Sequence, residues 1–168
     1  LAVGTNASNT LVFMKVFNEK LGYDTNNFAV AEIEREIDKR GKYQYLKDEY
    51  KKRFGKEWID ERSKVFVKPD RLGEIYADIF ETTKDEAVKN IRDINNSYSL
   101  SIQEFTKIVK NYLDDHKKEL ERIVFFVDEI GQFIADDENK MLSVQTIAEE
   151  LGKETDGHAF VMVTSQVD

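Results

Sequence analysis

Five apolar residues, Ile123-Val-Phe-Phe-Val127, run directly into two adjacent carboxylates, Asp128 and Glu129. A short run rich in β-branched and aromatic residues is what a strand buried on both faces of a parallel sheet requires. Such a strand is not ordinarily followed by paired acids, because a carboxylate is costly to desolvate without a cation or strong hydrogen bonds. At the carboxyl end of the strand, in the crevice where open α/β sheets bind ligands, the pair acquires a use. Asp128 would organise a Mg²⁺ ion and Glu129 would polarise an attacking water. The plainer reading is that the two acids cap the next helix or meet solvent where the strand emerges.

A second apolar run, Ala159-Phe-Val-Met-Val163, also ends in hydrogen-bonding residues, Thr164, Ser165 and Gln166. Between the two runs, Met141, Val144, Ile147, Ala148 and Leu151 fall on one helical face, with Gly152 placed to end the helix. Strand, helix and strand in this order form a βαβ unit, whose strands are expected to lie parallel with a right-handed crossover. The pattern then matches a Walker B strand followed by the strand that carries the polar sensor of AAA-like ATPases. In that scheme Asp128 binds the metal, Glu129 is the catalytic base, and Thr164, Ser165 and Gln166 face the γ-phosphate of ATP.

The phosphate-binding loop of such enzymes, Gly-x-x-x-x-Gly-Lys-Ser/Thr, does not occur in the chain. The Gly-Lys pairs at 41, 55 and 152 are followed by Tyr43, Glu57 and Glu154. Gly4-Thr-Asn-Ala-Ser8 is small and polar but has no lysine. The sequence also lacks an initiator methionine and stops shortly after the second strand. We therefore expect the phosphate loop upstream of Leu1, and weak nucleotide binding by these residues alone.

A charged fraction of 35% beside 40% hydrophobic residues suits a helix-rich domain with one sizeable core. No apolar run is long enough to span a membrane, and no signal-peptide pattern opens the chain. The absence of cysteine rules out disulfides and thiolate metal sites and is compatible with the cytoplasm, the expected location. His116 and His158 stand apart, without zinc-ligand spacing. A net charge of -8 argues against a general DNA clamp. Yet residues 31–64 hold eleven Lys/Arg against nine Asp/Glu, so phosphate contact by Lys47, Lys51, Lys52 and Arg53 is weighed against a mixed solvated face.

Ahead of the βαβ unit the pattern is helical. Residues 9–21 read as helix, with strand as the alternative. Residues 28–40 and 43–54 read as two helices divided by Gly41, with Trp58 packed against their junction. Val65-Phe-Val67 reads as a short strand halted by Pro69. Leu72, Ile75, Tyr76, Ile79 and Phe80 give the next amphipathic stripe. Thr83 with Glu86, and Ser101 with Glu104, are capping-box pairs that open two more helices. The fold class is thus α/β, a partial P-loop NTPase sheet with a large helical region ahead of the Walker B strand. The expected organisation is an N-terminal segment over 1–27, a helical insertion over 28–118 and the strands of the ATPase core over 119–168.

With these segments identified, the chain resembles the BrxC/PglY family of large P-loop ATPases from bacteriophage-exclusion (BREX) systems. The resemblance rests on Phe17-Asn-Glu-Lys-Leu-Gly-Tyr23, on Ala31-Glu-Ile-Glu-Arg-Glu-Ile-Asp38 with Gly41-Lys-Tyr43, and on Gly55-Lys-Glu-Trp58. Further along it rests on Val127-Asp-Glu-Ile-Gly-Gln-Phe-Ile134, Leu142-Ser-Val-Gln-Thr146, Glu150-Leu-Gly152 and Val163-Thr-Ser-Gln166. It spans nearly the whole chain and departs from the family in lacking the Walker A segment. It implies an ATP- and Mg²⁺-dependent component of a phage-defence complex. Its partners would be other exclusion-system proteins, among them an adenine-specific DNA methyltransferase, with DNA contact through the complex and a homo-oligomer as a further option. Two rival readings carry no catalysis, a helical protein-interaction module and a DNA-contacting module. Parallel pairing of the two strands, with both carboxylates, Asp128 and Glu129, at the same edge as Thr164, would favour the ATPase over the first. A continuous basic stripe from Lys47 to Arg62 would favour the second.

Overall fold

The computed structural model describes residues 5–128 and 138–164. The elements are α1 (Thr5–Leu21), α2 (Phe28–Lys39), α3 (Tyr43–Phe54), the short α4 (Trp58–Glu61) with a 3₁₀ turn at Arg62–Lys64, α5 (Pro69–Phe80), α6 (Lys84–Ser97), α7 (Ile102–Asp115), β1 (Ile123–Val127), α8 (Glu138–Glu154) and β2 (Ala159–Val163). The chain divides into two compact units, one of residues 1–14 and 99–168 and the other of residues 15–98. α7 belongs with the strands because Phe105 packs on Phe13 and Phe125, with ring centroids 6.1 and 5.6 Å away.

Unit 15–98 is wholly helical among its described elements. Its core is Val30, Ile33, Ile37, Leu46, Trp58, Leu72, Ile75 and Ile91, each no more than 1% exposed. α2 and α6 start where side chains satisfy their first amides. Asn27 Oδ1 accepts from the N–H groups of Ala29 and Val30, and Thr83 and Glu86 form a reciprocal capping box. Pro69 opens α5 at the first turn, where its missing N–H costs nothing. α5 and α6 approach so closely that a Cβ on Gly73 would lie 2.6 Å from Val88 Cγ2.

Val65-Phe-Val67 is not a strand. The N–H of Val65 bonds to the carbonyl of Arg62 and that of Val67 to the carbonyl of Lys64, so the segment turns helically from the 3₁₀ turn toward α5. Val65 is buried while Val67 is 79% exposed, and a three-residue run without a neighbouring strand has nothing to pair with.

The other unit contains the sheet. β1 and β2 pair in parallel, Ile123 opposite Ala159 through Val127 opposite Val163, with α8 between them in sequence. The α/β class and the βαβ order therefore hold. Phe13, Phe105 and Phe125 form a three-ring cluster under β1, and Val144, Ile147 and Leu151 of α8 are buried. Two details differ from expectation. Met141 is 43% exposed rather than part of the buried face, and Gly152 lies inside α8 instead of ending it. A single interior glycine costs about 1 kcal/mol, too little to stop a helix whose neighbouring turns are packed. The helix ends at Glu154, Thr155 leads into Asp156 at φ 50°, and the N–H of Gly157 closes back on the Gly152 carbonyl at 2.8 Å. The strand was expected to be buried on both faces, yet Val124 and Phe126 are exposed, Phe126 by 67%. Among the described residues, the face bearing Phe125 is the covered one.

Candidate functional site

The parallel register brings the carboxyl ends of β1 and β2 to the same edge, which places Asp128 and Thr164 side by side. The ladder runs one step past the strands, where the N–H of Thr164 donates to the Val127 carbonyl at 3.0 Å. Beyond that bond the two side chains meet, the Thr164 hydroxyl donating to Asp128 Oδ1. Both residues are exposed, so the pair faces outward at the mouth of the sheet. Glu129, Ser165 and Gln166, the other sequence-derived site residues, lie outside the described residues.

Among the described residues no group of three or more His, Cys, Asp or Glu side chains is placed to hold a metal ion. Asp128 is an exposed oxygen donor of the hard kind that Mg²⁺ takes alongside water and phosphate oxygens. A dedicated all-protein cage would need more carboxylates.

A cleft of 520 Å³ opens at the opposite, amino-terminal end of the strands. Lys110, Lys117 and Arg122 face it with Asp114, Glu121 and Asp156, so the charges cancel and no ligand class is selected. His158 bonds through Nδ1 to the Glu121 carbonyl at 2.8 Å, and its own carbonyl accepts from Ile123 N–H, so it ties the two strand starts together.

Lys51, Lys52 and Arg53 of α3 are matched with acids. Lys51 pairs with Glu57 at 2.5 Å, Lys52 with Glu49 at 2.8 Å, and Arg53 with Glu49 and Asp78 at 2.8 and 2.6 Å. The hydrogen bonds from Lys52 and Arg53 hold the Glu49 carboxyl below its ordinary range, and the bond to Glu57 raises Lys51. Lys47 lies over the Tyr43 ring, 4.5 Å from its centroid. A face of paired charges offers little uncompensated potential to a phosphate backbone.

The sequence did not reveal a buried polar cluster in unit 15–98. Glu34 is fully buried and accepts from Asp24 N–H, Tyr43 Oη, Trp58 Nε1 and Arg62 Nη1, at 2.6, 2.9, 2.7 and 3.2 Å. Arg62 also reaches Asp24 at 3.1 Å. Burial, then the Glu34 charge, pushes the Tyr43 phenol above its ordinary value. With every donor converging on one acid, the cluster is a structural lock, not an open site. A signal was present, since Glu34 falls on the same helical face as Val30, Ile33 and Ile37.

No helix of the described residues is long and apolar enough to cross a membrane. No protein-family model matches the chain, and no solved structure matches it.

Proposed function

We propose that the chain carries the metal- and water-organising half of a P-loop ATPase core, in a cytoplasmic phage-defence ATPase of the bacteriophage-exclusion kind. The observation that supports this reading is the meeting of Asp128 and Thr164 at the carboxyl edge of a parallel strand pair, where α/β proteins bind ligands. A cap-and-solvent role for the acids does not require the polar ends of both strands to converge. The paired charges of α3 favour this reading over direct DNA contact.

In this proposal Mg·ATP supplies the phosphates, and a phosphate loop from outside the 168 residues holds them. Asp128 would hold the cation. Glu129 accepts a proton from the attacking water. Partner proteins, including a DNA methyltransferase, and a homo-oligomeric state belong to the same proposal.

The test is made in a protein that contains both this segment and a phosphate loop. Glu129→Gln is expected to retain ATP binding while losing turnover by roughly 10²–10⁴-fold, the usual contribution of a positioned base. Asp128→Ala is expected to weaken Mg²⁺-dependent binding as well. Undiminished hydrolysis in both variants would leave the helical interaction module as the better reading.

A further inference from the structure

We propose that the outer edge of β1 pairs with the same edge of a second copy of this chain, antiparallel across a two-fold axis. This gives the homo-oligomer of the proposed function a definite interface, yet it rests on strand geometry and not on nucleotide chemistry.

In a parallel pair, alternate residues of a strand bond to the neighbour, and the residues between them turn their N–H and C=O groups the other way. The Ile123 N–H donates to the His158 carbonyl, and the Val127 carbonyl accepts from the Thr164 N–H. Ile123, Phe125 and Val127 therefore face β2, while Val124 and Phe126 present their backbone groups to the outer edge of β1. Among the described residues no other strand lies beside that edge. The side chains of Val124 and Phe126 are exposed as well. Natural edge strands are commonly blunted by a lysine, a proline or a bulge, and β1 has none of these. The outer edge of β2 is different. Its first amide, the N–H of the buried Ala159, donates to Thr155 Oγ1 at 2.8 Å.

The sequence of β1 complements itself in one register. Antiparallel pairing centred on Phe125 sets Val124 opposite Phe126 of the second copy, and Phe126 opposite its Val124. Both members of each pair point their backbone outward, so each pair can exchange two hydrogen bonds. An aromatic residue opposite a β-branched one is a favourable cross-strand pair. Two residues further out at each end, Arg122 falls opposite Asp128 of the second copy. Sliding the register by two residues instead sets Asp128 against Val124, or Arg122 against Phe126. Arg122 forms no ion pair among the described residues. A carboxylate offers about four acceptor sites, so the pairing does not require Asp128 to be otherwise unengaged. Because the two-fold axis matches this edge with itself, the assembly closes at two copies.

Two measurements on the 168-residue chain, without nucleotide, test the proposal. Paired edges of five residues make a small interface, so sedimentation velocity is expected to show a monomer–dimer equilibrium in the micromolar range. Arg122→Asp sets like charges opposite each other at both ends and is expected to raise the dissociation constant about tenfold. Phe126→Lys is expected to leave a monomer with unchanged far-ultraviolet circular dichroism. The second measurement uses the absence of native cysteine. Within one copy, residues 122 and 128 lie roughly 20 Å apart along an extended strand, far beyond the roughly 7 Å reach of a disulfide. Arg122→Cys combined with Asp128→Cys is therefore expected to give a covalent dimer on mild oxidation, and either substitution alone is not. Sheets stacked face to face stand about 10 Å apart, too far for this bond to form. A monomer at every concentration, or a dissociation constant unchanged by Arg122→Asp and Phe126→Lys, overturns the proposal. So does a double variant that cross-links no better than the single ones. None of these results depends on ATP hydrolysis, so failure here leaves the ATPase reading to its own test.

Discussion

Replacing Glu34 with Gln tests whether the buried acid organises the helical unit. Oε2 accepts from the Asp24 N–H at 2.6 Å, while Oε1 accepts from Tyr43, Trp58 and Arg62 at 2.9, 2.7 and 3.2 Å. An amide keeps only one oxygen. Turned toward the three side chains, it sets its NH₂ against the Asp24 N–H; turned the other way, it abandons all three donors. The better orientation leaves one buried N–H without an acceptor, which costs roughly 1–3 kcal/mol. It also removes a charged acceptor from Arg62, and hydrogen bonds to charged groups contribute roughly 1.5–3 kcal/mol. Asp24 stays beside Arg62 at 3.1 Å and limits that second loss, so the expected destabilisation is about 3–5 kcal/mol. Trp58 is the one tryptophan of the chain and lies in this unit, so its fluorescence in a urea titration follows this unit's unfolding. With a slope of about 1–3 kcal/mol per molar urea, the midpoint is expected to fall by at least about 1 M. A loss below about 1 kcal/mol would show that the four donors do not depend on the carboxylate.

Three further outcomes follow from packing and charge. Gly73→Ala places a methyl 2.6 Å from Val88 Cγ2 and is expected to destabilise the same unit by about 1–3 kcal/mol in urea titration, where an unobstructed Gly→Ala exchange would stabilise it. Phe125→Ala is expected to cost about 3–5 kcal/mol by dismantling the three-ring cluster, whereas Phe126→Thr, at an exposed position, should stay within about 0.5 kcal/mol in thermal melts followed by circular dichroism. Burial holds the Glu36 carboxyl above its ordinary range despite the hydrogen bond from Tyr76 at 3.1 Å. Between the ordinary and the raised value the folded state binds more protons than the unfolded one, so this contribution to stability is present at low pH and is lost as pH rises. Glu36→Gln should therefore lose less stability than the wild type between about pH 4 and pH 7, and parallel pH profiles would refute the assignment.

Helix-period stripes and capping residues made most of the helices legible, because those signals lie within a few residues of one another. The strand pair was legible for a different reason. Two apolar runs separated by an amphipathic stretch admit few topologies, and the parallel arrangement follows from the crossover. The convergence of Asp128 with Thr164 came with that topology. The hydrogen bond between them did not, because it depends on a register that sequence spacing leaves open. Glu34 was hidden by its chemistry. In Ala31-Glu-Ile-Glu-Arg-Glu-Ile37 it reads as one more charge on a solvated helix, and only its partners, distant in sequence at Trp58 and Arg62, make its burial tolerable. Val65 to Val67 misled because β-branched content stood in for a pairing partner that none of the described residues supplies.

The division of the chain has a consequence for its synthesis. Residues 15–98 are contiguous, so that unit has all its parts once Tyr98 has left the ribosome. The unit with the sheet is split, its first fourteen residues emerging early and the remainder only after residue 98. At translation rates of about 5–20 residues per second, Phe13 is exported several seconds before its ring partners Phe105 and Phe125. Among the described residues, β1 pairs with β2, which follows it later in the chain. The helical unit is therefore expected to resist proteolysis on stalled nascent chains at a length where the strand-bearing unit is still cleaved.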